Sequence, residues 1–227
     1  MDGFAASRRD AVVESVRPFS LPKRAMDIAL ALPLLLASGP MFVAVAVANR
    51  VSGDRGPLLH RSTRVGENGA AFQLLKLRTM RVGMQGSQLT QHEDPRITPV
   101  GRCLRQTKLD EVPQLWNVLR GQMSLVGPRP ESPDFVDWAD PVQAVVFRAR
   151  PGITGVTQLE FSDEETLHVG DDPVRRYRRE ILPRKVQLDH WYLAHQSVRL
   201  DIRILLRTGR LMLGRLAETW SRYPTAD

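Results

Sequence analysis

The stretch from Ile28 to Ala48, IALALPLLLASGPMFVAVAVA, carries no charged residue. A helix of about 20 apolar residues is long enough to cross the hydrocarbon core of a bilayer. The run is nevertheless broken near its centre by Ser38-Gly39-Pro40, with Pro33 some two turns earlier. Proline removes a backbone donor and clashes with the preceding turn, and glycine weakens the helix further. The flanks are basic at both ends, Lys23 and Arg24 before the run and Arg50 and Arg55 after it, diluted by Asp27 and Asp54. Cytoplasmic flanks are the ones that favour Lys and Arg. Two basic flanks and a central break predict a re-entrant helix-break-helix that enters one leaflet and returns. The Ser38 hydroxyl is the candidate donor for a carbonyl freed at the break. A kinked spanning helix, a signal peptide ending at Ala44-Val45-Ala46 and a buried core helix are the competing readings. The signal peptide would need an unusually long leader, and the core helix an unusually long apolar run.

The chain has 227 residues, enough for one core and a membrane element. Lys and Arg outnumber Asp and Glu by 32 to 25, a formal charge of +7. That excess calls for an anionic partner: nucleic acid, anionic lipid or a phosphorylated substrate. The single cysteine, Cys103, excludes an internal disulfide, and with scattered histidines it excludes a thiolate zinc site. Cys103 reads as a small apolar filler.

Residues 1–22 read as a loose tail or a short surface helix, with Pro22 in the first turn of a helix starting near Lys23. Residues 53–57 are turn-like, and residues 71–80 read as a strand ending in a basic tip at Lys76 and Arg78. Residues 83–95 read as a mobile polar loop. Leu109, Val112, Leu115, Trp116 and Leu119 share a helical side, but Pro113 conflicts with a helix interior. A helix beginning near Val112 and ended by Gly121 resolves the conflict and leaves Asp110 and Glu111 just ahead of its N-terminus. Asp172-Pro173 opens a long helical stretch to about His195, interrupted at Pro183. Arg199, Arg203, Arg207 and Arg210 fall on one face of a last amphipathic helix, which suits either an anionic membrane surface or a solvated face.

Short segments rich in Gly and Pro carry further cations: Arg96, Arg102 and Arg105, then Arg120 and Arg129. Several arginines around one carboxylate pair suit a diphosphate, because guanidinium forks match phosphate oxygens. The pair Asp110-Glu111 could supply one nucleophile and one ligand for a divalent cation. Adjacent acids before a helix also serve simply to complement its dipole.

The chain resembles the bacterial sugar transferase family, the small monotopic polyprenyl-phosphate phosphoglycosyl transferases. The resemblance runs from Lys23 to about Met212. It rests on the residues 23–27 (KRAMD), 63–66 (TRVG), 75–80 (LKLRTM), 94–98 (DPRIT), 109–118 (LDEVPQLWNV), 123–130 (MSLVGPRP) and 150–155 (RPGITG), in that order. Departures are Gly39 between Ser38 and Pro40, Leu77 where the family usually has Phe, Ser62 where it often has Gln, and a divergent segment 156–170.

The resemblance implies an α+β fold in four parts: a tail (1–22), a re-entrant membrane helix (23–50), a catalytic domain with interfacial helices (51–216) and a C-terminal tail (217–227). It implies Mg²⁺ as cofactor, a UDP-sugar donor, a polyprenyl (undecaprenyl) phosphate acceptor and inner-membrane lipid around the broken helix. Asp110 would attack the sugar-bearing phosphate and release UMP, and Glu111 would bind Mg²⁺. The candidate substrate-binding set is Lys76, Arg78, Arg96, Arg105, Arg129 and Arg150, and the helix break is Ser38, Gly39 and Pro40. Asp189 and Asp201 are structural or nucleotide contacts. The catalytic face would be cytoplasmic, at the bacterial inner membrane. The oligomeric state stays open, a homodimer included. Two rivals remain. One is a non-catalytic membrane-surface adaptor on the same fold; the other is a nucleic-acid binder, which leaves the apolar run unexplained.

Overall fold

A computed structural model describes residues 20–84, 94–162 and 173–221. The tail expected at 1–22, most of the loop at 83–95, Asp172 and the last residues therefore lie largely outside the described residues.

Helix α1 (Leu21–Ala37) begins with Ser20 as N-cap and Pro22 in its first turn. Helix α2 (Gly39–Val51) follows at once, bent from α1 by 45°. Among the described residues no single helix is long and apolar enough to cross a membrane; the bent pair together passes by length and composition. At the bend Ser38 donates its hydroxyl to Leu35 O at 2.6 Å, and its amide bonds Leu34 O and Leu35 O. The break thus satisfies its own carbonyls, as apolar surroundings demand. The pair turns much of its side-chain surface outward: Leu34, Leu36, Val43 and Val47 are all more than half exposed.

One narrow stripe of α1 faces the remaining protein. Lys23, Asp27 and Ala31 recur every four residues and are each at most 2% exposed. Lys23 donates to Asp201 at 2.6 Å and to Val126 O at 2.9 Å, and Tyr192 donates to Asp201 at 2.7 Å. Asp27 accepts from Leu125 N, and Arg24 donates to Val118 O and Leu119 O. Of the two roles expected for Asp201, structural or nucleotide contact, this clasp is the structural one.

Strands β1 (Leu59–Val65) and β2 (Ala71–Leu77) form an antiparallel hairpin, with Leu59 opposite Leu77 and Val65 opposite Ala71. Asn68 and Gly69 take the positive φ that reverses the chain. Helix α3 (Pro99–Gln106), a 3₁₀ turn (Leu109–Glu111) and helix α4 (Gln114–Leu119) come next. The expected helix starts at Gln114, one residue after Pro113, and Gly121 ends it at φ 79°. Strand β3 (Ser124–Val126) pairs in parallel with β4 (Gly152–Thr154), with α5 (Pro141–Val146) between them. Helix α6 (Val156–Glu160) follows β4.

Helix α7 (Pro173–Arg176) runs through a π-helical turn (Tyr177–Ile181) into α8 (Leu182–His195). Pro183 cannot donate, and the widened turn just before it absorbs the missing bond without ending the helix. Helix α9 (Val198–Ser221) closes the fold. Arg199, Arg203, Arg207 and Arg210 are exposed along it, beside exposed Ile202, Leu206 and Leu213, while Asp201 and Ile204 are buried. The main core joins Phe72, Leu74, Val118, Leu125, Val126, Tyr177 and Tyr192. The fold is α+β.

Candidate active site

Alternation along β2 places its last cation. Phe72 and Leu74 point inward, so Lys76 lies on the same face at the strand end. Asn117 of α4 latches that strand, donating to Gln73 O at 2.8 Å and accepting from Leu75 N at 3.1 Å. The carboxylates six and seven residues upstream of this latch are thereby brought against Lys76. Its Nζ lies 2.8 Å from Glu111 Oε1 and 3.9 Å from Asp110 Oδ2.

Between α3 and this dyad the chain turns through Lys108, held at φ 58°. A non-glycine residue rarely adopts this conformation, and its strain is of the kind found where a site over-determines the backbone. Gly101 lets α3 lie directly on the Thr79 carbonyl, where a side chain would collide. One turn later Arg105 donates to Thr79 Oγ1 at 3.1 Å.

Lys76, Arg105, Lys108, Asp110, Glu111 and Arg129 line one continuous cleft of about 2110 Å³. Asp110 is buried, and its Oδ1 has no hydrogen-bond partner among the described residues. Burial raises its carboxyl above the usual range; Lys76 offsets part of this and the charge on Glu111 adds to it. Burial also pushes Glu111 upward, but Lys76, Arg129 and Lys108 together outweigh it and hold the group at about 2. Burial and the neighbouring Arg129 and Lys76 lower Lys108, against the pull of Glu111. Adjacent carboxylates pushed in opposite directions are the mark of divided roles. Glu111 stays anionic, and Asp110 is the more basic carboxylate of the two.

The remaining expected residues divide. Arg78 and Arg96 line the cleft, but each already holds a carboxylate. Arg78 grips both oxygens of Asp54 at 2.8 and 2.7 Å, pinning the turn after α2, and Arg96 grips Asp94 at 2.9 and 2.6 Å. These pairs draw the Asp54 and Asp94 carboxyls below their ordinary range. Arg102, Arg120 and Arg150 are not among the residues that line the cleft. Arg150 bonds Glu67 at 2.8 Å, and Arg120 lies over the Trp116 ring. Asp189 accepts from Thr157 Oγ1 and from Arg129 N, so it stands behind the Arg129 loop. Burial drives its carboxyl up to about 7.

Sequence reasoning missed Lys108, Thr79 and Asn117. A lysine two residues ahead of the acid pair was a legible signal for the first. Nothing local marks Asn117, whose bonds run to a strand more than forty residues away. Among the described residues no group of three or more His, Cys, Asp or Glu could hold a metal. Two carboxylates still suit Mg²⁺, which usually takes one or two from the protein and completes its shell with water and substrate phosphate. The unpartnered Asp110 oxygen fits that demand.

A carboxylate pair among cations, Asp110 buried and Glu111 half-buried, in a cleft that a bent apolar helix pair helps to line, suits phosphate chemistry. The family model for bacterial sugar transferases matches residues 19–215, and the chain belongs to that family. It is 39% identical over 193 residues to the UDP-glucose:undecaprenyl-phosphate glucose-1-phosphate transferase of Caulobacter vibrioides, covering 83% of this chain and 68% of that one. It is 38% identical to the undecaprenyl-phosphate glucose phosphotransferase of Komagataeibacter xylinus, with 85% and 36% covered. The exopolysaccharide production protein ExoY of Sinorhizobium fredii is 31% identical, with 86% and 87% covered. The chain thus spans most of ExoY but little more than a third of the Komagataeibacter relative.

Proposed function

We propose that this chain transfers a sugar phosphate from a UDP-sugar to undecaprenyl phosphate at the inner membrane, the first membrane step of a glycan or exopolysaccharide pathway. The observation that carries it is Asp110: buried, basic for a carboxylate, one oxygen unpartnered, and facing a cationic cleft. An Asp110 oxygen attacks the sugar-bearing phosphorus, and the phosphoanhydride bond breaks with UMP leaving. The sugar phosphate is then held as an acyl phosphate. An oxygen of the lipid phosphate attacks the same phosphorus, the acyl phosphate bond breaks, and the Asp110 carboxylate is restored. Lys76, Arg105, Lys108 and Arg129 offset the phosphate charge, and Lys76 keeps Glu111 in place. Bound Mg²⁺, held by Glu111 with Asp110 beside it, would supply further neutralisation of the diphosphate.

The bent pair fits a re-entrant element, with Lys23 and Arg24 anchoring its start beside the catalytic domain on the cytoplasmic face. One substrate is soluble and the other lipid-bound, and a site at the interface meets both without crossing the bilayer. The Caulobacter and Komagataeibacter relatives are both named for glucose, so UDP-glucose heads the list of donors to test.

Purified protein with Mg²⁺ and undecaprenyl phosphate should release UMP from one of a panel of UDP-sugars, and an adduct should map to Asp110 by mass spectrometry. UMP release at the wild-type rate by Asp110→Asn would assign the nucleophile elsewhere. In a Cys103→Ser background, single cysteines at the two ends of the bent pair should react from the same side. Reaction from opposite sides would make the pair a spanning helix.

A further inference from the structure

Arg105 lies in the last turn of α3, and a single residue outside that helix, Thr79, meets it twice. The Thr79 carbonyl accepts from Thr98 N at 2.9 Å, and Thr98 caps α3 by accepting from Gly101 N at 2.9 Å. Gly101 rests on the same carbonyl, and a Cβ there would collide with its oxygen. Gly101 and Arg105 are four residues apart and share one face of the helix. The Thr79 hydroxyl then accepts from Arg105 Nη1 at 3.1 Å. Carbonyl and hydroxyl of one residue thus hold the start and the end of a helix of 8 residues.

Thr79 is itself fixed. Arg81 N donates to Arg96 O at 2.8 Å and Met80 bridges Ile97, so residues 79–81 are zipped to 96–98. Thr79 is buried, yet it is among the residues that line the cleft. The way it holds an arginine differs from that of its neighbours. Asp54, Asp94 and Glu67 hold Arg78, Arg96 and Arg150 through opposite charge, and a carboxylate neutralises the cation that it orients. A threonine hydroxyl brings no charge; it fixes the direction of the guanidinium fork and takes nothing from its charge. That charge reaches the dyad: burial raises the Asp110 carboxyl, and Arg105 joins Lys76 in opposing the rise.

We propose that Thr79 is a positioning residue that aims the Arg105 guanidinium at the phosphoryl group transferred at Asp110. Thr79 acts through Arg105 and not on the reacting atoms. A cation offsets developing phosphoryl charge only when it is held in the right place beforehand, and a small displacement forfeits much of the effect. The inference rests on the transferase reading above and adds to it a residue that carries no charge.

A double-mutant cycle on the full chain, with Mg²⁺, undecaprenyl phosphate and the UDP-sugar that it accepts, separates this role from a structural one. Thr79→Val should lower kcat for UMP release about tenfold or more, with the donor KM changed by less than about threefold. Thr79→Ser keeps the hydroxyl and should recover most of that loss. In an Arg105→Met background, already slow, Thr79→Val should add less than about twofold, because the group that it aims is gone. Should Thr79→Val fail to fold, Thr79→Ala carries the same cycle. Losses that multiply across the two sites, a Thr79→Ser variant as slow as Thr79→Val, or Thr79→Val at the wild-type rate would overturn the proposal and leave the transferase reading standing. A wild-type protein that releases no UMP from any donor would overturn that reading and this inference with it.

Discussion

Lys23 and Lys76 each meet carboxylates inside the protein, Lys23 at 2.6 Å from Asp201 and Lys76 at 2.8 Å from Glu111. Around Lys23 the groups are closely matched. Its ammonium also reaches Val126 O and Tyr192, and Tyr192 returns a bond to the second oxygen of Asp201. Both charged side chains are at most 3% exposed. Around Lys76 the match is incomplete: the lysine side chain is 25% exposed, Asp110 lies at 3.9 Å, and one Asp110 oxygen is buried without a partner. Residue type does not separate a fastening from a reactive centre, and neither does a single unmet bond, since buried Asp27 beside the Lys23 clasp also leaves an oxygen unpartnered; Asp110 differs in lining a cleft with several cations. A satisfied buried pair fixes geometry, and an unsatisfied one keeps a group available for a ligand at a cost in stability.

The sharpest way to break this contrast is Asp110→Asn. Turnover, read as UMP release, should fall on the order of 10³-fold or more. Thermal unfolding should not move downward, since the substitution removes a charge the fold leaves unsatisfied. Lys23→Met should do the reverse. It strands Asp201 inside the protein and should cost about 3–5 kcal/mol in chemical unfolding. Adding Asp201→Leu should restore part of that loss. If the single change proves neutral, the clasp is not the fastening described.

Asp189 gives a smaller and pH-dependent effect. Its folded carboxyl stands at about 7, raised from the ordinary range by burial, with Glu131 adding to the rise and Lys185 opposing it. The folded state therefore binds this proton more tightly than the unfolded state does. Its stabilising contribution is full at low pH and is lost as pH rises from about 4 towards 7. Over that window stability should decline by up to about 1.4 kcal/mol per pH unit, and Asp189→Asn should flatten the slope. A slope unchanged in the variant would assign the titration to another group. The smallest effect is expected at the helix break. Ser38→Ala removes one hydroxyl bond to Leu35 O and should cost about 1 kcal/mol.

Much of this was legible along the chain. The broken apolar run, Pro22 in the first turn of its helix, the strand carrying Lys76 near its end and the glycine stop at Gly121 all follow from local rules of backbone and periodicity. Asp110 and Glu111 stood out because adjacent acids among basic loops pose a charge problem that only a ligand or a partner resolves. The arginines were harder. Arg78, Arg96 and Arg150 look alike in sequence to Arg105 and Arg129, yet they hold Asp54, Asp94 and Glu67. Which carboxylate folds beside which of these arginines is decided by residues distant in the chain.

By itself the sequence determined the broken apolar helix pair, the strand carrying Lys76, the helix from Gln114 to the stop at Gly121, the helix through Pro183, the last amphipathic helix and the residue types of the site, since those depend on contacts within a few positions. Only the tertiary structure decided that Asn117 would latch β2, that Lys23 would reach Asp201, and that one oxygen of Asp110 would be left without a partner. Each of these joins residues far apart in the chain or depends on what surrounds a single buried atom, and burial and bond satisfaction belong to the packed assembly, not to any segment.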